Sequence, residues 1–310
     1  MISRQLCSMW KEQLKEIKEG NRKTLARCIS LIENEVSGYE ELLQSLPPSS
    51  TPVIGITGPP GAGKSTLTDA LIGRFVAKEK TVAVLCIDPS SPFNLGALLG
   101  DRIRMSEWYN NDMVFIRSLA TRGSLGGLHP KIIEISDLLK ASGFDFIIIE
   151  TVGVGQNEIE IAGLADTTLV VVVPEAGDEV QTMKAGLMEI ADVFVVNKAD
   201  RPGADIFVRN LRLMLAPAFN NPAIPVPVIK TIATQKKGME ELDEAINWSL
   251  DLKKVNEKKT WLLAEKAFYL IRQKKMFPLT RSYLKQEIDK AGNNFNLYTF
   301  INKFLDGKNT

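Results

Sequence analysis

Val53-Ile54-Gly55-Ile56-Thr57-Gly58-Pro59-Pro60-Gly61-Ala62-Gly63-Lys64-Ser65-Thr66 decides the fold. Five residues suited to a buried strand run into Gly58–Thr66, which fits G-x-x-x-x-G-K-[ST], and a helical pattern follows. Glycines allow a backbone to wrap a phosphate with several N–H groups pointing inward, and the next helix adds its positive N-terminal end. Gly58, Pro59, Pro60, Gly61, Ala62, Gly63 and Thr66 form the cradle. Lys64 is expected to reach the β- and γ-phosphates, and the Ser65 hydroxyl to ligate Mg²⁺. The competing reading is a chance match on an ordinary strand-loop-helix turn. The flanking strand and helix favour the phosphate loop.

Working outward, short apolar runs alternate with helical stretches from Val53 to about Ile232. The runs are Val53–Thr57, Thr81–Ile87, Met113–Ile116, Phe144–Ile149, Thr168–Val173, Val193–Val196 and Val226–Ile229. Several are apolar nearly throughout, as strands covered on both faces must be. The pattern predicts an α/β fold, a mostly parallel sheet wrapped by helices on both sides. Helical segments flank this core. The expected division is an N-terminal helical segment over 1–50, a nucleotide-binding domain over 51–240 and a helical segment over 241–310. At the N-terminal end, Gly20-Asn21 reads as a stop followed by an N-cap, and Leu25, Ile29 and Ile32 stripe the next helix. Pro47-Pro48-Ser49-Ser50 is a linker signal. In the last segment Pro278 is expected to separate two helices. Its apolar residues (Trp261, Leu262, Phe268, Leu270, Ile271, Phe295, Tyr298, Phe300, Ile301, Phe304) serve either packing against the core or a dimerisation arm.

Composition narrows the function classes. The 310 residues are 45% hydrophobic and 24% charged, with a net charge of +1. That balance speaks against nucleic-acid binding, where phosphate contacts demand a basic excess. Cys7, Cys28 and Cys86 are too few and too scattered for a disulfide framework or a metal knuckle; Cys86 reads as a small buried hydrophobe. No run approaches the ~18 apolar residues needed to span a bilayer. Met1–Gly20 mixes Lys and Glu with no apolar block, unlike a secretory signal, and its acids do not suit a mitochondrial presequence. A soluble cytoplasmic protein with no membrane contact is expected.

Three further stretches carry chemistry. Phe146–Gly153 is an apolar strand ending on Glu150, with Gly153 three residues later. Glu150 can hold Mg²⁺ through water, and the Gly153 N–H can bond the γ-phosphate until hydrolysis removes it. The alternative for Glu150 is a helix cap. Asp88, ending the second strand, offers another carboxylate at the sheet edge where ligands gather; Asp88-Pro89-Ser90-Ser91-Pro92 could otherwise be a turn. Val193–Val196 leads into Asn197-Lys198-Ala199-Asp200, an N-K-x-D motif. The Asp200 carboxylate can accept hydrogen bonds from guanine N1–H and the 2-amino group. Adenine has a donor at neither place, so the expected nucleotide is GTP rather than ATP, with discrimination of ~10⁴ or more. Asn197 can bond the base edge and pin the phosphate loop, and the Lys198 stem can cover the ring. Ile232-Ala233-Thr234 could place a backbone N–H on guanine O6. His129, the lone histidine, reads as structural or solvated, because phosphoryl transfer needs positioning more than proton abstraction.

Together these motifs resemble the MeaB/ArgK GTPases, a group that includes the human methylmalonic aciduria type A protein. The resemblance is carried by Gly58–Thr66, Asp88–Phe93, Gly100–Met105, Leu125-Gly126-Gly127, Glu150–Gln156 and Asn197–Asp200, and it runs from about residue 20 to 238. It implies a homodimeric G-protein chaperone of a cobalamin-dependent acyl-CoA mutase, typically methylmalonyl-CoA mutase, that couples GTP hydrolysis to cofactor loading, protection or rescue. It also implies that Asp101–Met105 is a first switch, with Asp101 holding Mg²⁺ or positioning water. Gly177–Lys184 matches a third switch, and Lys184 falls where the family keeps a lysine linked to activated hydrolysis; by itself it would read as a solvated helix charge. The last 60 or so residues match the family's helical arm weakly, and Lys236-Lys237 precede Gly238 where the family's base-contacting loop varies.

In many small GTPases a glutamine directly after the Gly153-like glycine orients the attacking water. Here that residue is Val154, so slow intrinsic hydrolysis is expected, with the missing group supplied on partner binding; Lys184, Asp101 and Gln156 are the candidates. Completing such a site accelerates hydrolysis by ~10³–10⁵. One rival is a GTP-dependent metallochaperone for nickel enzymes, which one histidine and three scattered cysteines do not suit. Another is a small-molecule P-loop kinase, which has no need of N-K-x-D. A third is a structural protein that holds nucleotide without turnover.

Overall fold

Strands that are apolar on both faces need helices on both faces, and the sheet is built that way. The computed structural model describes residues 2–88, 105–121, 128–151, 160–176, 185–218, 226–254, 258–276, 279–291 and 295–305. The chain divides into two compact units, Met1–Lys259 and Thr260–Thr310. The first opens with helices α1 (Ile2–Lys18), α2 (Arg22–Glu33) and α3 (Tyr39–Gln44). Then follow β1 (Val53–Thr57), α4 (Lys64–Ala77), β2 (Val82–Asp88), β3 (Val114–Ala120), α5 (Ile132–Lys140) and β4 (Phe146–Glu150). β5 (Thr167–Val172), α6 (Ala185–Ile190), β6 (Val193–Val196), α7 (Ala204–Ala218), β7 (Val228–Lys230) and α8 (Met239–Lys254) complete it. The seven strands form one sheet in the order β3-β2-β4-β1-β5-β6-β7, parallel at every pairing. This is the expected α/β architecture.

One face of the sheet, with Ile54, Ile56, Val84 and Val171, packs on Leu67, Leu71 and Phe75 of α4 and on Leu242 and Ile246 of α8. Phe75 stacks on Phe146 with ring centroids 4.4 Å apart. On the other face Val170, Val172, Phe194 and Val196 meet Phe207, Val208 and Leu211 of α7. Each buried residue of this kind is worth roughly 1.5–3 kcal/mol of transfer free energy. The sheet is thus a stiff support for the loops at its C-terminal edge.

Several strand bounds differ from the sequence expectation for identifiable reasons. β3 runs past the apolar run that ends at Ile116 and continues to Ala120, because the Arg117 guanidinium pairs with Glu33 and donates to Ser30 Oγ (3.1 Å), both on α2. β4 begins at Phe146 rather than Phe144. The intervening Asp145 accepts from the Thr81 amide and hydroxyl, both at 2.9 Å, and Phe144 lies under the Arg22 guanidinium, 4.2 Å from the ring centre. β2 includes Asp88, which pairs in register with Ala120.

The N-terminal helices form as their local signals dictate. Asn21 caps α2, its Oδ1 accepting from the Thr24 amide at 3.1 Å, and Leu25, Cys28, Ile29 and Ile32 are its buried stripe. Trp10, Leu14 and Ile17 of α1 are buried. Cys28 and Cys86 are buried thiols; burial pushes the Cys28 thiol up to about 11. His129 is buried before α5, where its Nδ1 accepts from the Lys131 amide at 3.0 Å.

The second unit contains most of α9 (Lys258–Met276), then α10 (Arg281–Ala291) and α11 (Leu297–Leu305). Thr280 Oγ1 accepts from the Tyr283 amide at the start of α10, and Asn296 Oδ1 from the Tyr298 and Thr299 amides at the start of α11. The ring of Phe300 packs on those of Phe295 and Phe304, with Tyr283 edge-on to Phe304. Pro278 lies outside the described residues. No helix among the described residues is long and apolar enough to cross a membrane.

Candidate functional site

β1 lies between β4 and β5, so the loop that leaves its C-terminal end sits mid-edge. Two glycines there have no substitute. Gly58 has φ +140°, and a Cβ on it would lie 2.1 Å from the Val171 carbonyl oxygen. Gly63 has φ +87°, and its Cβ would meet Asn197 Nδ2 at 2.4 Å. The loop turns into α4 at Lys64, which is only 7% exposed. Its ammonium donates to the carbonyls of Gly58 (2.9 Å) and Pro59 (3.1 Å). The cation is therefore held inside the loop, beside the N-terminal end of the helix, where the backbone dipoles sum to a partial positive charge.

The carboxylate side forms on β4. Glu150 ends that strand, level with Ile56 of β1 and Cys86 of β2, and is 3% exposed. Ser65 Oγ donates to its Oε1 at 2.6 Å, and Thr68 Oγ1 reaches its Oε2 at 2.7 Å. Thr68 was missed by the sequence reading, although its place one helical turn after Ser65 puts both hydroxyls on one face. Thr151 then donates to Thr57 Oγ1 at 3.0 Å, joining the ends of β4 and β1. Asp88 is buried at the end of β2, two residues beyond the level of Glu150, about 7 Å further along the strand direction. Its backbone oxygen accepts from the Thr121 amide. Gly153, Gln156, Asp101 and Lys184 lie outside the described residues, as do Val154 and most of Gly100–Met105. Met105 itself is buried against α4.

On the far side, β6 ends at Val196, and the next residue, Asn197, is 2% exposed. Its Nδ2 donates to the Ala62 carbonyl at 3.0 Å, while its Oδ1 accepts from Thr231 Oγ1 and the Ala233 amide, both at 3.2 Å. Lys198, at φ +55°, stretches its ammonium to the Gly61 carbonyl at 2.8 Å. Asp200 is exposed. The next residue, Arg201, pairs with Glu175 after β5. Burial opposes the Glu175 charge, but the Arg201 guanidinium, its own amide and nearby Lys198 hold that carboxyl below the usual range. Of the three residues expected near the base edge, Ile232 spends its amide on the Lys237 carbonyl, Ala233 on Asn197, and Thr234 is exposed.

The family described as "Methylmalonyl Co-A mutase-associated GTPase MeaB" matches residues 25–282. The chain belongs to the MeaB family. A Pyrococcus horikoshii protein named as a GTPase is 48% identical over 240 residues, 76% of each chain. GTPase ArgK of Escherichia coli is 38% identical over 195 residues, 61% of this chain and 59% of ArgK. A protein named fused isobutyryl-CoA mutase, from Geobacillus kaustophilus, is 33% identical over 312 residues; these cover 90% of this chain but 28% of that protein. Among solved structures, one described as an LAO/AO transport system kinase superposes with a TM-score of 0.68 at 23% identity, covering 96% of this chain and 97% of its own. That likeness speaks for the P-loop GTPase fold alone. As a MeaB-family GTPase, this chain carries its phosphate-loop, Glu150 and N-K-x-D residues along a single sheet edge.

Proposed function

We propose that this MeaB-family member is a GTP-hydrolysing chaperone that assists cofactor loading, protection or reactivation of a cobalamin-dependent acyl-CoA mutase, such as methylmalonyl-CoA mutase. The observation that carries the nucleotide half is Asn197. One buried amide bonds the phosphate loop at Ala62 and the following loop at Thr231 and Ala233. Base motif and phosphate cradle are thereby one frame. Asp200 then reads guanine N1–H and the 2-amino group, the Lys198 stem covers the ring, and Ile232–Thr234 border the base.

At the phosphate end Lys64 exchanges its loop carbonyls for β- and γ-phosphate oxygens, and the backbone N–H groups of Gly61–Thr66 take the remaining charge; Pro59 and Pro60 have none to give. The donor set suits Mg²⁺: a serine hydroxyl and a carboxylate meet at 2.6 Å beside a helix N-terminus, all hard oxygen ligands. Ser65, Glu150, Asp88 and Asp101 are the residues that would hold the ion, directly or through water. When bound it neutralises charge on the transferring phosphoryl group. The Gly153 amide is assigned to the γ-phosphate, and Asp101, Gln156 and Lys184 to the hydrolytic machinery. Val154 cannot orient water, so turnover by the isolated protein is slow and rises on partner binding.

Support for the mutase half comes from the family itself and from the fused isobutyryl-CoA mutase relative, which joins a similar stretch to a protein named as a mutase. The same reading includes a cytoplasmic homodimer, with no nucleic acid or membrane partner. It takes 1–50 as a helical segment, 51–240 as the G domain and 241–310 as a helical segment, in which α8 packs on the sheet and the dimerisation role falls to the helices after it. Exposed Phe268, Ile271, Tyr298 and Ile301 support the last assignment. The test is capture from native lysate with the protein immobilised in a non-hydrolysable GTP analogue and, separately, in GDP. Nucleotide-sensitive recovery of an acyl-CoA mutase is expected. Recovery of nickel-enzyme maturation factors instead would overturn the mutase assignment.

A further inference from the structure

Thr68 has no part in the scheme above, yet it is fully buried and touches the residue at its centre. It stands on α4 three residues after Ser65, so both hydroxyls face the end of β4. Its Oγ1 lies 3.0 Å from the Lys64 carbonyl and 2.7 Å from Glu150 Oε2. A threonine inside a helix ordinarily returns its proton to the carbonyl four residues back. Here a carboxylate oxygen sits closer, and a hydrogen bond to a charged acceptor is shorter and roughly twice as strong. The proton therefore goes to Glu150, whose other oxygen takes the Ser65 proton at 2.6 Å.

A carboxylate tied by one oxygen can still swing, because terminal torsions onto planar groups have broad wells. One tied by both oxygens, to hydroxyls a helical turn apart on the same rigid helix, cannot. We infer that Thr68 is a positioning residue for the divalent cation. By clamping the rear oxygen of Glu150 it keeps the other oxygen turned toward Ser65, and so sets how tightly the nucleotide complex holds Mg²⁺. This rests on the reading of the site as a guanine-nucleotide and Mg²⁺ site. Partners of this kind, which orient a group that serves the metal, are commonly worth 10–100-fold in metal affinity.

The experiment uses the full chain loaded with fluorescent N-methylanthraniloyl-GDP. Mg²⁺ is titrated, and the concentration that half-maximally slows GDP release is read for the parent and for Thr68→Val, Thr68→Ala and Thr68→Ser. GDP affinity in EDTA is measured beside it. The expected result is that Thr68→Val and Thr68→Ala need about tenfold more Mg²⁺, that Thr68→Ser coincides with the parent, and that affinities in EDTA agree throughout. If valine disturbs the fold, the alanine variant carries the comparison. Parent-like Mg²⁺ dependence in the hydroxyl-free variants would overturn the inference, as would equal weakening with and without Mg²⁺, the mark of a merely structural role. A parent that binds no guanine nucleotide would sink the underlying reading, and is seen before any variant is compared.

Discussion

The two ends of the candidate site lie on one sheet edge and are made differently. At the phosphate end Lys64, Ser65 and Glu150 are all buried, and they bond to the loop or to one another. At the base end Asn197 and Ala233 are buried, but Lys198 is half-buried, and Asp200 and Thr234 are exposed. The first end is preorganised, so little ordering cost attends phosphate binding. It is also indifferent to the base, because every nucleoside triphosphate offers the same phosphates. The second end spends one carboxylate, at the rim, on choosing guanine. Affinity and specificity are thus lodged in different residues, and substitution should separate them.

The largest effect is expected at the rim. Asp200→Asn should erase most of the preference for guanine over adenine nucleotides, a change of ~10⁴, while leaving the fold and the Lys64 hydrogen bonds intact. Competition binding with GTP and ATP measures it, and an unchanged preference would break the division of labour. Glu150→Gln should do the reverse. It keeps base preference but lowers Mg²⁺-dependent binding or turnover by ~10–100-fold, checked by Mg²⁺ titration with GTP and with a second base. Asn197→Ala should hurt both ends at once, because it strands Ala62 O, Thr231 Oγ1 and the Ala233 amide. At about 1 kcal/mol for each broken bond it should cost about 2–4 kcal/mol, read as a shift of the urea midpoint. The smallest change is Lys198→Ala, whose half-exposed bond to Gly61 O is worth about 1 kcal/mol or less. GDP affinity should weaken only several-fold, without loss of base preference.

What the sequence made legible follows from the range of the interactions. Local signals were sufficient where the cause is local. Asn21 caps α2 three residues ahead of Thr24, and runs such as Val193–Val196 are strands because both faces of the sheet are covered. Glu150 and Asn197 are the residues at or just beyond strand ends, so their placement along the edge could be read from the apolar runs before them. The misses are tertiary. The apolar run Met113–Ile116 is shorter than β3 because the strand continues through Arg117, whose partner Glu33 lies on a helix 84 residues away. Asp145 looked like strand because nothing nearby announces its bonds to Thr81. Thr68 left a faint trace in its i,i+3 spacing from Ser65, but its significance depends on Glu150, 82 residues downstream. Asp101, Gln156 and Lys184 belong to stretches where family likeness, rather than periodicity, supplied the assignment.

The most direct measurement for the guanine reading is competition for the wild-type protein, with Mg²⁺ present, between labelled GDP and either unlabelled GDP or unlabelled ADP. The account predicts displacement by GDP near equivalence and by ADP only at ~10⁴-fold or greater excess. Displacement by both at the same concentration would contradict it, leaving a phosphate cradle with no reader of the base.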